Sequence, residues 1–104
     1  MAAGPMRMRA TQGAGFTDVR VLMTHPMETG QRKDAEGKLV PVHFIQNVTV
    51  RVNDKVVIEA ELSQAVSRNP VFSFRLKGGA KGDRIEVSWL DNTGETNRTE
   101  AAVA

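Results

Sequence analysis

Apolar and polar residues alternate along most of this chain, and the alternation limits the folds that it can adopt. The clearest case is residues 43–62, where two alternating runs flank the turn Asn53-Asp54-Lys55. Because successive side chains of a β-strand point to opposite faces of the sheet, such runs bury one face and expose the other. The two runs and their turn predict a β-hairpin.

Other alternating runs extend this pattern over the chain. Residues 18–23, 71–77 and 84–91 alternate in the same way, and the polar run 96–103 predicts an edge strand. Turn-forming residues separate the runs, whereas no long stretch has the 3.6-residue period of a helix. The sequence therefore predicts an all-β protein, an antiparallel β-sandwich of about six or seven strands.

The inward positions of these runs give a predicted core, and the start of the chain lies outside it. The core residues are Val21, Val48, Val50, Ile58, Leu62, Phe72, Phe74, Ile85, Val87 and Trp89. Residues 1–15 are rich in Ala, Gly and Met and lack periodicity, so they predict a flexible N-terminal arm. Residues 16–104 then form a single sandwich domain, which suits a chain of 104 residues.

Two connections are candidates for function. Residues 24–38 form a long polar connection, and loops of this length in compact domains are usually functional or mobile. Residues 77–83 are rich in glycine, but they lack the spacing of a phosphate-binding loop and precede a strand. Their glycines supply positive φ angles in a wide turn, or they leave an open surface beside Lys77 and Lys81 that another backbone can approach.

Side chains that carry protein chemistry are scarce. The chain has no Cys and no Tyr, and His25 and His43 are its only imidazoles. The absence of Cys removes disulfides, thiolate catalysis and cysteinyl zinc sites. No two histidines have the spacing of a helical metal site, so we predict no metal, no cofactor and no catalytic residue. We interpret the histidines as loop residues that hydrogen-bond nearby backbone.

The charge and hydropathy patterns argue against two classes of partner. Lys and Arg are interleaved with Asp and Glu, and the net charge is only +2, so there is no basic block for a nucleic acid. No apolar run approaches the ~18 residues of a membrane span. No apolar segment of a secretory signal follows Arg7 and Arg9. Taken alone, the sequence predicts a cytoplasmic location.

A series of local runs resembles one known family. The runs are Val21-Leu22-Met23, His25-Pro26-Met27-Glu28-Thr29-Gly30, Pro41 with His43-Phe44-Ile45, Asn69-Pro70 with Phe74, Gly78-Gly79, Gly82-Asp83, Val87-Ser88-Trp89 and Asp91. The run that begins at His25 is the specific one, and the others follow in the right order. Together they resemble the SoxZ family, the cysteine-free subunit of the SoxYZ sulfur-carrier complex of thiosulfate oxidation.

The resemblance implies a fold, a partner and a location. The fold is an immunoglobulin-like antiparallel β-sandwich, and the chain is a non-catalytic scaffold that forms a heterodimer with SoxY. SoxY carries the sulfur intermediates on its C-terminal cysteine, and the complex contacts SoxAX, SoxB and SoxCD transiently. The implied location is the periplasm, reached by co-export with SoxY. The predicted partner-binding residues are His25, Pro26, Met27, Glu28, Thr29, Gly30, Lys77, Gly78, Gly79 and Lys81.

Two other functions remain open at this point. The first is a stand-alone β-sandwich module that binds carbohydrate or adhesive ligands. Such a module needs exposed aromatic side chains, whereas Trp89 and the four Phe residues all fit the predicted core. The second is an enzyme, which would act on thiosulfate without a thiol partner.

Overall fold

The structure is a computed structural model that describes residues 6–63 and 65–104. Within these residues, seven antiparallel strands form two sheets. The strands are β1 (Arg7–Gln12), β2 (Phe16–Leu22), β3 (Ile45–Val52), β4 (Lys55–Glu61), β5 (Val71–Lys77), β6 (Arg84–Asp91) and β7 (Thr96–Ala102). One sheet has the order β1-β2-β5 and the other β4-β3-β6-β7. This arrangement confirms the predicted immunoglobulin-like sandwich. No helix in the described ranges could cross a membrane.

The core lies between the two sheets and follows the predicted alternation. Six predicted core residues are buried, namely Val21, Val48, Val50, Ile85, Val87 and Trp89. The other four, Ile58, Leu62, Phe72 and Phe74, are partly buried against this cluster. Burial of a large apolar side chain contributes roughly 1.5–3 kcal/mol, so these inward positions stabilise the sandwich.

The first strand corrects the prediction that residues 1–15 form a flexible arm and that order begins near Phe16. Arg7–Gln12 forms β1, which pairs with β2 so that Ala10 lies opposite Val19. The amide of Ala104 also donates to the carbonyl of Ala10. Pairing on both edges fixes a segment whose own apolar pattern is too short to predict a strand. Residues 1–5 lie outside the described residues.

The predicted hairpin is confirmed as β3 and β4. Asn53 and Asp54 connect the strands with φ angles of 49° and 69°. Positive φ at both central residues is the requirement of the tight turn that matches strand twist. The register shifts between Val50 and Arg51, and Val56 is 43% exposed although it lies two residues before Ile58, which packs against the core. The irregularity therefore changes which side chains of β4 face the core.

Antiparallel pairing gathers the loops at two ends of a molecule that measures 52 × 21 × 20 Å. Leu22 lies beside Val71, so β2 ends where β5 begins. Ile45 lies beside Asp91, so β6 ends where β3 begins. We call this the histidine end, and it comprises residues 23–44, 65–70 and 92–95. The opposite end, the glycine end, comprises the turns at residues 13–15, 53–54 and 78–83.

Candidate functional site

Both histidines share one carboxylate oxygen at the histidine end. Nε2 of His25 lies 3.0 Å from Oδ2 of Asp91, and Nε2 of His43 lies 2.7 Å from the same oxygen. The side chains of His25 and Asp91 have no exposed surface, and that of His43 is 13% exposed. The His25 ring also meets Trp89 edge to face at 5.1 Å. The result is a buried polar cluster that reaches the surface only through the partly exposed imidazole of His43.

The position of Asp91 follows from strand geometry. Val87 and Trp89 face the core on β6, and a period of two places Asp91 on the same face at the end of the strand. Its second oxygen, Oδ1, accepts hydrogen bonds from the hydroxyl and amide of Thr93 and from the amide of Glu95. A buried carboxylate requires this full set of donors, because without them its burial is strongly unfavourable.

The hydrogen bonds to Asp91 determine its charge. Burial alone raises the pKa of this carboxyl group, but the bonds from Thr93, His25 and His43 outweigh it and hold the pKa well below its ordinary value. The group is therefore an ionised acceptor at neutral pH. It follows that Nε2 of each histidine donates a proton to Oδ2.

The same protons argue against a metal centre. The ligand-capable atoms of His25, His43 and Asp91 lie within 4.8 Å of one another, as a metal site would require. However, Nδ1 of His25 accepts a hydrogen bond of 3.0 Å from the amide of Met27, so the proton of a neutral ring sits on Nε2. Metal-bound histidines instead donate from the second ring nitrogen. The donor set suits a hydrogen-bonded cluster rather than an ion.

The cluster anchors the loop that the sequence singled out. Met27 is buried and adopts a left-handed φ of 48°, and its sulfur accepts a bond from the amide of Ile45. Asn69 brackets His25 by accepting from its amide and donating to its carbonyl. Glu28 and His43 exchange two backbone hydrogen bonds. A left-handed bulky residue is held only where its surroundings over-determine it, and here they do.

Comparison with protein families identifies the family of this chain. A family model described as sulphur oxidation protein SoxZ matches residues 6–102, which include the whole of all seven strands. The chain belongs to the SoxZ family. This confirms the resemblance drawn from the local runs and assigns the chain to sulfur oxidation. No curated protein matches the chain significantly.

The SoxZ match includes β1, the segment that the sequence assigned to an arm. The match begins at residue 6, next to the first residue of β1. The buried side chains of Met6 and Ala10 pack in the same core as the rest of the sandwich. The N-terminal strand is therefore part of the family domain and not an addition to it.

The structure separates the predicted partner-binding residues into different settings. His25 and Met27 are buried within the chain, so they shape the loop from beneath. Pro26 and Glu28 are half-buried, and Thr29 is exposed. Gly30 has a φ of 85° and lies against Val42. Only the outer residues of the loop offer surface to another molecule, and a role in partner binding stays a prediction for them.

The glycine loop lies at the opposite end of the sandwich from the His25 loop. Gly78, Gly79 and Gly82 have φ angles of 79°, 94° and 89°, which supports the interpretation as a turn that needs left-handed residues. Gly79 also faces Thr17, whose hydroxyl a side-chain carbon at this position would overlap. Lys77 and Lys81 are exposed. The structure does not bring the two predicted segments together.

Sequence reasoning missed Asp91 as the centre of the site. The expectation that the histidines bond to nearby backbone holds for Nδ1 of His25, which accepts from Met27, but Nε2 of each ring binds Asp91. The signal that could have found the site is the alternation of buried positions beyond the strand end. Val21, Met23 and His25 are two residues apart and all face inward, although β2 ends at Leu22. An inward carboxylate and an inward imidazole at the same end of the sheets predict a pair.

Beside the cluster lies an open cleft of about 370 Å³. Its lining residues are Pro26, Glu28, Arg32, Val40, Pro41, Val42, His43, Thr93 and Glu95. An ion pair of 2.6 Å between Glu28 and Arg32 closes one side. The cleft therefore combines an apolar wall with paired charges, and the buried cluster forms its floor through His43.

Proposed function

We propose that this chain is the non-catalytic scaffold of a sulfur-substrate carrier, paired as a heterodimer with SoxY in periplasmic thiosulfate oxidation. The sulfur intermediates reside on the C-terminal cysteine of SoxY, and the complex visits SoxAX, SoxB and SoxCD. The observation that carries the proposal is membership of the SoxZ family in a chain without cysteine. A chain without a thiol has no side chain on which to hold sulfur as a covalent adduct.

The chemistry of the buried cluster supports a structural role. Asp91 is already saturated by donors from His25, His43 and Thr93, and its environment excludes solvent. A general base needs access to a substrate proton, and a nucleophile needs a free electron pair. Neither His25 nor Asp91 meets these requirements. We infer that the cluster fixes the shape of the loop above it.

We place the contact with SoxY at the cleft of the histidine end. The exposed side of the His25–Gly30 loop and the apolar wall of Val40 and Val42 form a concave surface on a rigid base. Preorganised loops bind more tightly, because less conformational entropy is lost on association. Within that loop the proposed contact is therefore made by the residues that line the cleft, Pro26 and Glu28.

Co-expression with SoxY tests the pairing. We expect one peak on gel filtration that contains both chains, and two separate peaks would contradict the proposal. After incubation with thiosulfate, SoxAX and an oxidised electron acceptor, which takes up the two electrons released as the sulfur–sulfur bond forms, intact-mass spectrometry should show an adduct on SoxY and none on this chain. Replacement of the SoxY cysteine with serine should abolish the adduct while the complex stays intact.

A pair of matched variants tests the place of contact. Val40→Asp puts a charge on the wall of the cleft, and Val57→Asp puts the same charge on the exposed edge strand β4. We expect Val40→Asp to weaken the complex about tenfold or more, as central interface changes do. Val57→Asp should leave affinity unchanged. The reverse result would move the interface to β4.

The location and the rival function have their own tests. Periplasmic fractionation of cells that express both chains should recover this chain with SoxY, and only when SoxY is exported. The rival function, a carbohydrate or adhesive module, needs an aromatic platform. Trp89 is 2% exposed, and Phe16, Phe44, Phe72 and Phe74 are all at least partly buried. No observation favours that function over the carrier.

A further inference from the structure

The outer face of the three-stranded sheet is strongly basic. Its charged residues are Arg7 and Arg9 on β1, Asp18 and Arg20 on β2, and Arg75 and Lys77 on β5. These five cations and one carboxylate contrast with a net charge of only +2 for the whole chain. Positive charge is therefore concentrated on one face of the sandwich, and the remainder of the molecule has a net negative charge.

Most of this positive charge has no counter-charge within the chain. Arg75 pairs with Asp18 at 2.7 Å and stacks on the ring of Phe16 at 3.9 Å. In the described residues, Arg7, Arg9 and Arg20 take part in no ion pair, although carboxylates partner arginines elsewhere. Asp18, the one carboxylate among the charged residues of this face, is thus already paired with Arg75.

The register places two of the free arginines directly opposite each other. Arg9 of β1 and Arg20 of β2 are cross-strand partners, and both are exposed. Directly opposite residues have their Cβ atoms about 4.5–5.5 Å apart, and like charges at this spacing destabilise a sheet. Salt screens charges only weakly at distances shorter than the Debye length of about 8 Å at physiological ionic strength. The isolated fold therefore gains nothing from this pair.

The outer face of the four-stranded sheet is different. There Glu86 lies between Arg51 and Arg98 and pairs with both at 3.3 Å. Arg84 contacts Asp54 at 2.7 Å and Glu100 at 3.7 Å. Each of these arginines has an acidic neighbour, so among the described strands of the two sheets the unpaired arginines lie on the outer face of the three-stranded sheet.

Apolar surface adjoins the free arginines. Leu22 and Val71, which are 46% and 50% exposed, lie in the same cross-strand row as Arg7. A shallow groove of about 490 Å³ is lined by Arg7, Met8, Arg9, Arg20 and Leu22. A polyanionic phosphate backbone matches charge alone, whereas a protein surface can match a mixture of guanidinium and aliphatic groups.

We propose that the groove formed by Arg7, Met8, Arg9, Arg20 and Leu22 is a docking surface for an acidic surface of a second protein. Carboxylates match the planar guanidinium fork and relieve the repulsion between Arg9 and Arg20, and the aliphatic side chains supply contact area. Charge complementarity of this kind accelerates association and suits short-lived contacts. The proposal is separate from the pairing with SoxY, which we place at the histidine end.

Binding to poly-L-glutamate, with matched charge reversals, tests the surface. Arg20→Glu and Lys55→Glu change the net charge equally, but Lys55 begins β4 on the other sheet. We expect wild-type binding that weakens steeply with salt, an affinity loss of about tenfold or more for Arg20→Glu, and a loss below about twofold for Lys55→Glu. Equal losses in both variants, or no wild-type binding, would overturn the proposal. So would tighter binding to random-sequence duplex DNA at the same ionic strength.

A stability measurement separates lost binding from lost folding. Arg20→Glu replaces a like-charge pair with an Arg9–glutamate pair, so we expect an unchanged or higher midpoint of thermal unfolding in the free chain. Weaker binding in a variant that is at least as stable supports a surface kept for a partner. A lower midpoint would mean that Arg20 stabilises the fold, which contradicts the argument. Co-elution with SoxY should persist in Arg20→Glu whichever result is obtained.

Discussion

The two ends of the sandwich order their loops by different means. At the histidine end a buried carboxylate collects donors from two strand-flanking histidines and from the turn after β6. At the glycine end, left-handed glycines let the chain turn sharply, and bonds such as that from the amide of Gly82 to the carbonyl of Val103 fasten the loop. The first end depends on electrostatics inside the protein, and the second depends on backbone conformation.

Two aspartates make the difference concrete. Asp91 is 2% exposed and accepts from side chains that come from three separate segments. Asp83, at the glycine end, is only half-buried and accepts from the amide of Ala80 and from the side chain of Asn53. Because a buried unpaired donor cannot turn to water, the same deletion should be far more harmful at the histidine end.

The largest expected effect comes from removing these two carboxylates in turn. Asp91→Ala leaves the Nε2 proton of His25 buried without an acceptor and should lower the free energy of unfolding by about 3–5 kcal/mol. Asp83→Ala removes bonds near solvent and should lower it by about 1 kcal/mol. Urea denaturation of both variants measures the difference. Equal losses would show that the two ends do not differ as described.

The positions of the strands along the chain follow largely from the sequence, whereas the site does not. Alternation identifies β2 to β6 because these strands carry apolar residues at inward positions, such as Val48 and Val50 on β3, whereas β7 is identified as a polar edge strand. β1 has only Met8 and Ala10 inward, and both contribute little to a strand by themselves. Its conformation is imposed by pairing with β2 and with Ala104, which no local pattern reports.

In the histidine cluster, His25 and His43 are 18 positions apart, and His43 and Asp91 are 48 positions apart. Neither spacing belongs to a known sequence motif. His25 and His43 lie in a loop, and Asp91 closes a strand. The parity of Asp91 with Trp89 predicts its burial, and burial predicts partners. Which partners it meets depends on how the two sheets face each other, and alternation within single strands does not contain that information.

A smaller effect is expected from a pair of glycines at the other end. Gly79→Ala places a methyl group on the hydroxyl of Thr17, which is buried and donates to the carbonyl of Gly78. Overpacking and left-handed strain together should lower stability by about 2–4 kcal/mol. Gly78→Ala meets no neighbouring atom and should cost about 1 kcal/mol, for strain alone. Equal losses would mean that conformation is the only requirement at this end.

The pH dependence of stability should report the buried carboxylate of the histidine end. Burial raises the pKa of Asp91, but the bonds from Thr93, His25 and His43 depress it below the unfolded value, so the unfolded chain binds the proton more readily. This contribution to stability is complete above the unfolded pKa and disappears as the pH falls toward the folded pKa.

Urea denaturation below about pH 4 tests that sign, since about 3.9 is the unfolded value for Asp. The free energy of unfolding of the wild type should fall more steeply with decreasing pH than that of Asp91→Asn. The difference in slope should reach about 1.4 kcal/mol per pH unit, which corresponds to about one additional proton bound by the unfolded chain. A wild-type slope in Asp91→Asn would show that Asp91 is not the group that titrates.

The smallest expected effect concerns the ion pair between Glu28 and Arg32 at the rim of the cleft. Arg32 bonds to Glu28 at the rim of the cleft, but its side chain is 54% exposed. The hydrogen bond from Arg32 lowers the pKa of Glu28, so Arg32→Gln should raise that pKa toward its ordinary value in a carbon-13 NMR titration. The free energy of unfolding should not change measurably, because the Arg32 side chain is exposed and water competes for its hydrogen bonds. Lys33→Gln removes an equal charge one residue away and should leave the pKa of Glu28 unchanged. A loss of stability in Arg32→Gln would mean that the histidine end depends on its surface charges as well as on its buried ones.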